Sequence, residues 1–485
     1  MNKQKLSGAY FTPDRLAAAL VCWAVRSDDD RLLDPSCGDG RFIANHQNAV
    51  GIEQDPQSAQ IAISHAPAAL VHEGDFFQWA AATSERFECA AGNPPFIRYQ
   101  NFKGAIRQRA FDLCKRNGAE FSGLSSSWAP FLVATASLLK PGGRMAFVVP
   151  AEIGHAPYAV PLIEYLAANF STVRVVAIRE KLFPDLSEDC WLLYANGFGG
   201  KTLGIELAIQ ETFIWSTRPP APNRIVSLKD WGSKWNYRLR PFLIKDDVRE
   251  LYAEQKVLPG SRMLSDVANI GIGYVSGDND FFHLRPSDVV RWKIPPSALL
   301  PSARNSRSLS AGRVTKATIT DWQKADLPYL LLRLSRSEQL PDAVRRYLDS
   351  PAGQAARLGY KCRNRAPWYA VPDVKFPDFL LTYMCGRAPT LVANEAQVSC
   401  SNTLLTVQLH NRMLATKILP EWKSSFSQLS CELEGHPLGG GMLKLEVREA
   451  SRVRFACVER SFDKRELRVL NEGLSEMRRW RHHAE

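Results

Sequence analysis

The 485-residue sequence predicts an α/β domain, built on a doubly wound and mainly parallel sheet, followed by a mixed α+β domain. Three observations predict this. Continuous apolar runs alternate with helical stretches through residues 1–216, as they do where crossover helices bury both faces of a sheet. The Pro-rich, polar stretch STRPPAPN then reads as a linker. Beyond it come short mixed segments with many Arg, Pro and aromatic residues, as in KCRNRAPWYAV. The expected division is a first domain over 1–216, a linker over 217–225 and a second domain over 226–485.

The elements follow in order. RLLDPSC, AVGIEQD, ALVHEGDFF and FECAAGNPP each read as a buried strand ending in an acid or a turn. LLDPSCGDGRF adds a Gly-rich turn and a helix start, with Phe42 packing the new helix. SSSWAPFLVATASLLKPGG reads as a helix stopped by Pro-Gly-Gly, and RMAFVVPA as a further apolar strand. VPLIEYLAANF is an amphipathic helix, and VRVVAIRE and CWLLYANG are two more strands joined by KLFPDLSED. The tail SFDKRELRVLNEGLSEMRRWRHHAE reads as a basic amphipathic helix. In such sheets ligands bind beyond the carboxyl ends of the strands. The acids and the NPP turn fall there.

Composition narrows the classes. Hydrophobic residues make up 45%, ordinary for a globular protein, and no apolar run reaches the length of a membrane span. The start MNKQKLSGAYFTP has no apolar signal core. The ten cysteines form no CxxC and the nine histidines no HExxH, so neither a disulfide framework nor a metal site is expected, and a reducing cytoplasm is the expected compartment. The net charge of +11 is unevenly spread. Residues 1–225 hold 21 basic and 22 acidic side chains, and residues 226–485 hold 40 and 28. An excess of twelve positive charges in the second half suits either solubility or a polyanionic partner such as nucleic acid.

Two stretches carry chemistry. In the first, Asp34 ends a strand, and Gly38 and Gly40 let the backbone turn sharply and approach a ligand. A dinucleotide fingerprint would need a third glycine where Ile43 stands. Alone, such a turn is ordinary. Glu53 then ends the second strand, where a carboxylate can accept both hydroxyls of a ribose. Asp75 ends the third, where an acceptor suits the amine of an adenine ring. One acid at a strand end is most often a solvated cap, but three at successive ends of one crevice point to a nucleoside. No phosphate-binding lysine accompanies the turn, so an adenosyl ligand is favoured over ATP.

The second stretch is AAGNPPFIRYQ. Two prolines exclude a helix or a central strand, so the segment is a stiff loop. For an entering flat ring with an NH2 group, the side-chain oxygen of Asn93 can accept one N–H and the main-chain oxygen of Pro94 the other. Phe96 can stack on the ring. Two acceptors draw the amine out of conjugation and free its lone pair for attack on an electrophilic methyl group. That is catalysis by positioning and polarisation.

With both stretches in place, the chain resembles the gamma-class, TaqI-like adenine-N6 DNA methyltransferases. The resemblance rests on GAYFTP (8–13), LLDPSCGDGRF (32–42), GIEQDP (51–56), GDFF (74–77), NPPF (93–96), SWAPFLVATASLLKPGG (127–143) and KLFPDLSED (181–189), all in the family's order. LSDVANIGIGYVSGDNDFF, RAPWY, SCSNTLLTV and PLGGGMLKLE extend it to the family's C-terminal target-recognition domain. It implies a class I, Rossmann-like methyltransferase fold with S-adenosyl-L-methionine as cofactor. Thr12 and the backbone around Asp34, Ser36 and Gly38 would meet the methionine end, Glu53 the ribose and Asp75 the cofactor adenine. Phe131 would pack on that adenine; without the resemblance it reads as a core helix residue. Asn93 and Pro94 would hold the target amine, with Phe96 on one face of the target base and Phe183 on the other side; taken alone, Phe183 is a loop residue covering the sheet edge. Arg98 and Tyr99 would contact the flipped nucleotide, although Tyr99 equally suits bracing the loop. The family often has Tyr where Phe96 stands, and an apolar residue where Gln54 stands; stacking survives the first departure.

The resemblance further implies double-stranded DNA as substrate, bound by a monomer, with a separate cognate restriction enzyme as partner and no membrane. A base in a duplex must be flipped out to reach such a loop, and the basic second half would grip the DNA. Trp368 and Tyr369 are candidates for that cleft, though aromatics beside proline more often pack. With seven residues before Gly8 no nuclease is expected ahead of GAYFTP, and PDVKFPDF lacks the acidic-x-Lys pair of one. Other readings stay open. NPPF-type loops also serve methylation of RNA bases or protein glutamine, cytosine-N4 presents the same amine, and the chain could be a DNA-recognition subunit with a degenerate cofactor site. A nicotinamide dehydrogenase fits neither the glycine pattern nor the loop.

Overall fold

In the computed structural model, the described residues are 11–184, 186, 188–309, 312–334, 339–456 and 462–483. The chain forms two compact units, Met1–Ile244 and Lys245–Glu485. The first holds a nine-stranded sheet. Its strands are β1 (Leu32–Asp34), β2 (Ala49–Glu53), β3 (Leu70–Glu73), β4 (Phe87–Gly92), β5 (Leu139–Pro150), β6 (Phe170–Ile178), β7 (Cys190–Phe198), β8 (Gly204–Gln210) and β9 (Arg224–Ser227), in the order β3-β2-β1-β4-β5-β7-β6-β8-β9. The five strands from β3 to β5 pair in parallel, and β7 is antiparallel to both β5 and β6. After β3 the chain returns to the far side of β1, so the strand order reverses between β1 and β4. A crevice opens at such a switch point, beyond the strand ends. Around the sheet lie α1 (Asp14–Ala24), α2 (Pro56–His65), α3 (Phe76–Ala82), α4 (Gly104–Arg116), α5 (Trp128–Ala136) and α6 (Val160–Asn169).

Four local expectations are corrected. The connection after β1 is one 3-10 turn, Ile43–Asn45, not a helix. Asn, His and Gln follow directly, with no apolar period to bury a longer one. β3 is an edge strand with Leu70 exposed, not a buried one. Asp75 does not end β3. The chain turns at Gly74, and the Asp75 side chain caps α3 by accepting from the Gln78 N–H at 2.7 Å. The Pro-rich stretch lies within the first unit. Arg174 Nη1 donates to the Pro220 carbonyl at 2.9 Å, Asn223 N donates to Leu207 O at 2.8 Å, and β9 then pairs antiparallel with β8. These bonds hold it against the sheet, and the unit closes only at Ile244.

The second unit is mixed α+β. A five-stranded sheet runs Ala268–Ile272, Leu404–Leu409, Phe379–Thr382, Leu391–Asn394, Arg313–Val314, beside a smaller four-stranded one. The unit has its own buried apolar clusters, one around Phe379, Leu405 and Trp422, another around Phe281, Tyr347 and Leu331. The tail forms the expected helix, Lys464–Arg479, closed at its start by an Asp463–Glu466 capping box. No helix among the described residues is long and apolar enough to cross a membrane.

Candidate active site

A cleft of about 580 Å³ opens at the carboxyl ends of β1, β2 and β4 and is closed on one side by α5. Of the residues singled out from sequence, Ser36, Gly38, Glu53, Asp75, Asn93 and Phe131 line it. Thr12, Asp34, Pro94, Phe96, Arg98, Tyr99 and Phe183 do not, and each has another place.

The Gly-rich turn and β2 are locked together by Glu53. Its Oε2 accepts from the Gly38 N–H at 2.9 Å and its Oε1 from the Asp55 N–H at 2.7 Å. A carboxylate has roughly four acceptor directions, so Glu53 is fixed by two and keeps capacity for hydroxyl groups. Gly40, at φ +89°, has no room for a side chain: a Cβ there would lie 3.0 Å from Ala62 Cα. Asp34 lies beneath this turn, fully buried. Its Oδ1 accepts from the Ser36 N–H at 3.1 Å, and Oδ2 has no hydrogen-bond partner among the described residues. Burial, reinforced by the nearby Glu53 and Asp39 carboxylates, pushes the Asp34 carboxyl up to about 8 against the Ser36 N–H.

The NPPF loop is stitched to the start of α5. Ser127 Oγ donates to the Pro95 carbonyl and accepts from the Ile97 N–H at 3.0 Å, and Ser127 N donates to Ile97 O at 3.0 Å. Asn93 Nδ2 donates to Thr12 Oγ1 at 3.2 Å, and Ser36 Oγ donates to the Asn93 carbonyl at 3.3 Å. Thr12, Ser36 and Asn93, which arrive from three separate stretches, therefore meet at one point. Phe96 is half-buried against an apolar cluster that contains Leu182, Phe183 and Leu186. Phe183 is only 7% exposed there, a packing side chain. Arg98, outside the cleft, pairs with Glu188 at 2.5 Å, which holds its guanidinium above the usual range, and Tyr99 is exposed beside it.

On the far wall Phe131 stacks on Phe76, with centroids 5.2 Å apart and planes 19° apart, and meets Phe77 edge-on at 4.6 Å. Beside this aromatic wall stands Asp75, with Arg109 Nη2 3.7 Å from its Oδ1. Two contributors were missed in the sequence. Ser127 had a signal, a serine directly before a helix. Arg109 had none, because nothing in the spacing shows that α4 packs against the start of α3. Among the described residues no group of His, Cys, Asp or Glu is arranged to hold a metal ion.

This geometry can be set beside known proteins. Residues 234–483 match the C-terminal domain of the type II methyltransferase M.Eco57I, and residues 42–183 match the Eco57I restriction-modification methylase. The chain belongs to the M.Eco57I methyltransferase family. The sequence is 20% identical over 425 residues to the type II methyltransferase M.AccI of Acinetobacter calcoaceticus, covering 82% of this chain and 75% of that one. It is 21% identical over 476 residues to M.XamI of Xanthomonas campestris pv. amaranthicola, covering 93% and 86%. The fold of this M.Eco57I-family chain is also that of the type IIL restriction-modification enzyme MmeI, solved in complex with DNA, at a TM-score of 0.53 and 12% identity. That match covers 91% of this chain but 64% of MmeI, just under two thirds. The first unit thus has the class I, Rossmann-like methyltransferase fold, joined to the family's C-terminal domain.

Proposed function

We propose that the chain is a site-specific DNA methyltransferase. It moves a methyl group from S-adenosyl-L-methionine to the N6 amine of an adenine flipped out of double-stranded DNA, as the modification enzyme of a restriction-modification system in the cytoplasm. One observation carries this reading. The fixed carboxylate of Glu53 and the aromatic wall of Phe131 share one cleft with Asn93, whose nitrogen is tied to Thr12.

The residues present fit the cofactor. Glu53 would accept the ribose hydroxyls. Asp75, whose Oδ1 serves the α3 cap, would use Oδ2 for the adenine amine, with Phe76 and Phe131 beside the ring. Ser36, Gly38, Thr12 and the buried Asp34 would surround the methionine end. When bound, S-adenosyl-L-methionine supplies an electrophilic methyl group. The chain itself prepares the acceptor. With its nitrogen on Thr12, the Asn93 amide meets an incoming amine with its oxygen, and Pro94 adds its carbonyl. The two acceptors localise the lone pair on nitrogen, and Phe96, half-exposed, stacks on the ring. No strong general base is needed, because the aminium product sheds its proton readily. Arg98 and Tyr99 lie just past the loop, where the flipped nucleotide's backbone would run.

The test separates the acceptor from the cofactor. Asn93→Ala should lower methyl transfer by about 100-fold or more, the usual cost of one lost polar contact to a reacting group, while calorimetric affinity for S-adenosyl-L-methionine stays within a few-fold. Near-normal turnover would sink the assignment. Sequencing that reads modified bases directly should place the methyl group on adenine N6; cytosine N4, or no mark on DNA, would redirect the substrate.

A further inference from the structure

In the second unit, three short helices follow one another: Asp342–Leu348, Pro351–Leu358 and Tyr360–Arg363. Their inner side is anchored. Tyr347 stacks on Phe281 at 4.8 Å with planes 9° apart, and Trp368 lies 5.9 Å from the same ring. Gly277, at φ +98°, lies so close that a Cβ there would fall 2.6 Å from Cys362 Sγ. Arg365 Nη2 donates to the Ser276 carbonyl at 2.8 Å. Trp368 and Tyr369, flagged from sequence as DNA candidates, are thus packing residues, partly buried against the apolar cluster on the inner side of this segment.

The outer side is different. Leu358 is 77% exposed and Tyr360 67%. Lys361 Nζ and Arg363 Cζ lie 5.8 and 5.6 Å from the Tyr360 ring centre. Arg346 and Arg357 are exposed nearby in sequence, and among the described residues none of these four cations pairs with a carboxylate. Elsewhere in the unit exposed arginines do find acids, as Arg313 finds Glu395 and Arg412 finds Asp378. An anchored segment that presents an aromatic ring, a leucine and unpaired cations to solvent fits a partner with both negative charge and flat apolar surface. DNA offers phosphates, and base faces where a step is unstacked or a base is flipped out. The second unit's excess of positive charge, 36 basic against 27 acidic side chains in residues 245–485, favours the polyanion over an acidic protein surface.

We propose that this segment is a DNA wedge, in which Arg346, Arg357, Lys361 and Arg363 seat on phosphates and Tyr360, with Leu358, lies against bases exposed at the site of distortion. The proposal rests on the reading that duplex DNA is the substrate, and the test separates the two. The full-length protein is titrated against a fluorescein-labelled duplex over a series of salt concentrations. Tyr360→Ala should weaken binding roughly tenfold at every salt concentration, the scale of one lost base-stacking contact, with the slope of log K against log salt unchanged; Tyr360→Phe should bind as wild type. The double change Lys361→Gln with Arg363→Gln should reduce that slope by about 2, since each phosphate contact contributes about 0.9. Unchanged thermal unfolding and S-adenosyl-L-methionine affinity show that the fold is intact. If Tyr360→Ala binds like wild type, the wedge is overturned even where the double variant loses slope. If the wild-type chain binds the duplex and all variants match it, the wedge fails while the DNA reading stands. If the wild-type chain binds no duplex, both fail.

Discussion

At the scale of single residues, the most unusual group is Asp34. Its carboxyl is held protonated up to about 8 by burial and by neighbouring acids, far above the ordinary carboxylate range. For an acid raised in the folded state, the unfolded chain releases its proton first. The stability contribution is therefore full below about pH 4 and falls as pH rises toward 8. Asp34→Asn keeps the shape and an acceptor for the Ser36 N–H while removing that charge. The expected result is a higher urea midpoint for the variant near pH 8, worth several kcal/mol for a shift of this size, with the gap closing toward pH 4; a gap that does not change with pH would contradict the buried carboxyl as its cause. The placing of Ser36, Gly38, Glu53 and Asn93 in one cleft was legible, because turn chemistry and strand ends put them at the carboxyl edge whatever the packing. The tie between Thr12 and Asn93 was not, since it joins positions 81 apart and only folding brings them together. Nor was the burial of Phe183, which depends on how the loop after β6 lies on the core.

At the scale of elements, the loop that carries Asn93 takes its shape from α5. Ser127 is fully buried, and its one hydroxyl bonds the Pro95 carbonyl and the Ile97 N–H, on either side of Phe96. Ser127→Ala leaves its backbone bond to Ile97 in place but strands the Ile97 N–H and the Pro95 carbonyl. Each unsatisfied buried group costs about 1–3 kcal/mol, enough to let the loop relax. Methyl transfer should drop by roughly 10- to 100-fold, in keeping with small misplacements of reacting groups, while cofactor affinity moves little because Glu53 and Phe131 do not depend on this bond. A loss of cofactor affinity matching the loss of rate would instead mean that α5 itself had shifted. Strands β1 to β7 and helices α5 and α6 were readable from their apolar runs and period, whereas α1 to α4 were not picked out. The 3-10 turn after β1, the exposed edge at β3 and the extra hairpin of β8 and β9 were not, because each depends on which neighbour an element meets. The proline-rich stretch shows this best: its composition matches a linker, yet bonds to Arg174 and Leu207 hold it on the sheet.

At the scale of the whole molecule, the charge asymmetry survives the structural boundary. Residues 1–244 hold 25 basic and 23 acidic side chains, and residues 245–485 hold 36 and 27, so the second unit carries nine of the eleven excess positive charges. Each unit encloses its own buried apolar clusters, which makes separate folding a fair expectation. A flipped base costs a few kcal/mol to extract from the stack, and the cleft in the first unit has no surplus of cations to supply it. If the second unit supplies that energy through phosphates, three results follow together. Affinity of the full chain for duplex DNA falls linearly on a log–log plot against salt, with a slope of several units. Residues 245–485 alone, once circular dichroism shows them folded, retain most of that slope. Residues 1–244 alone bind S-adenosyl-L-methionine but show little affinity for DNA. A salt-insensitive interaction, or a first unit that binds duplex as tightly as the full chain, would place the DNA contacts elsewhere and leave the basic excess as a solubility feature.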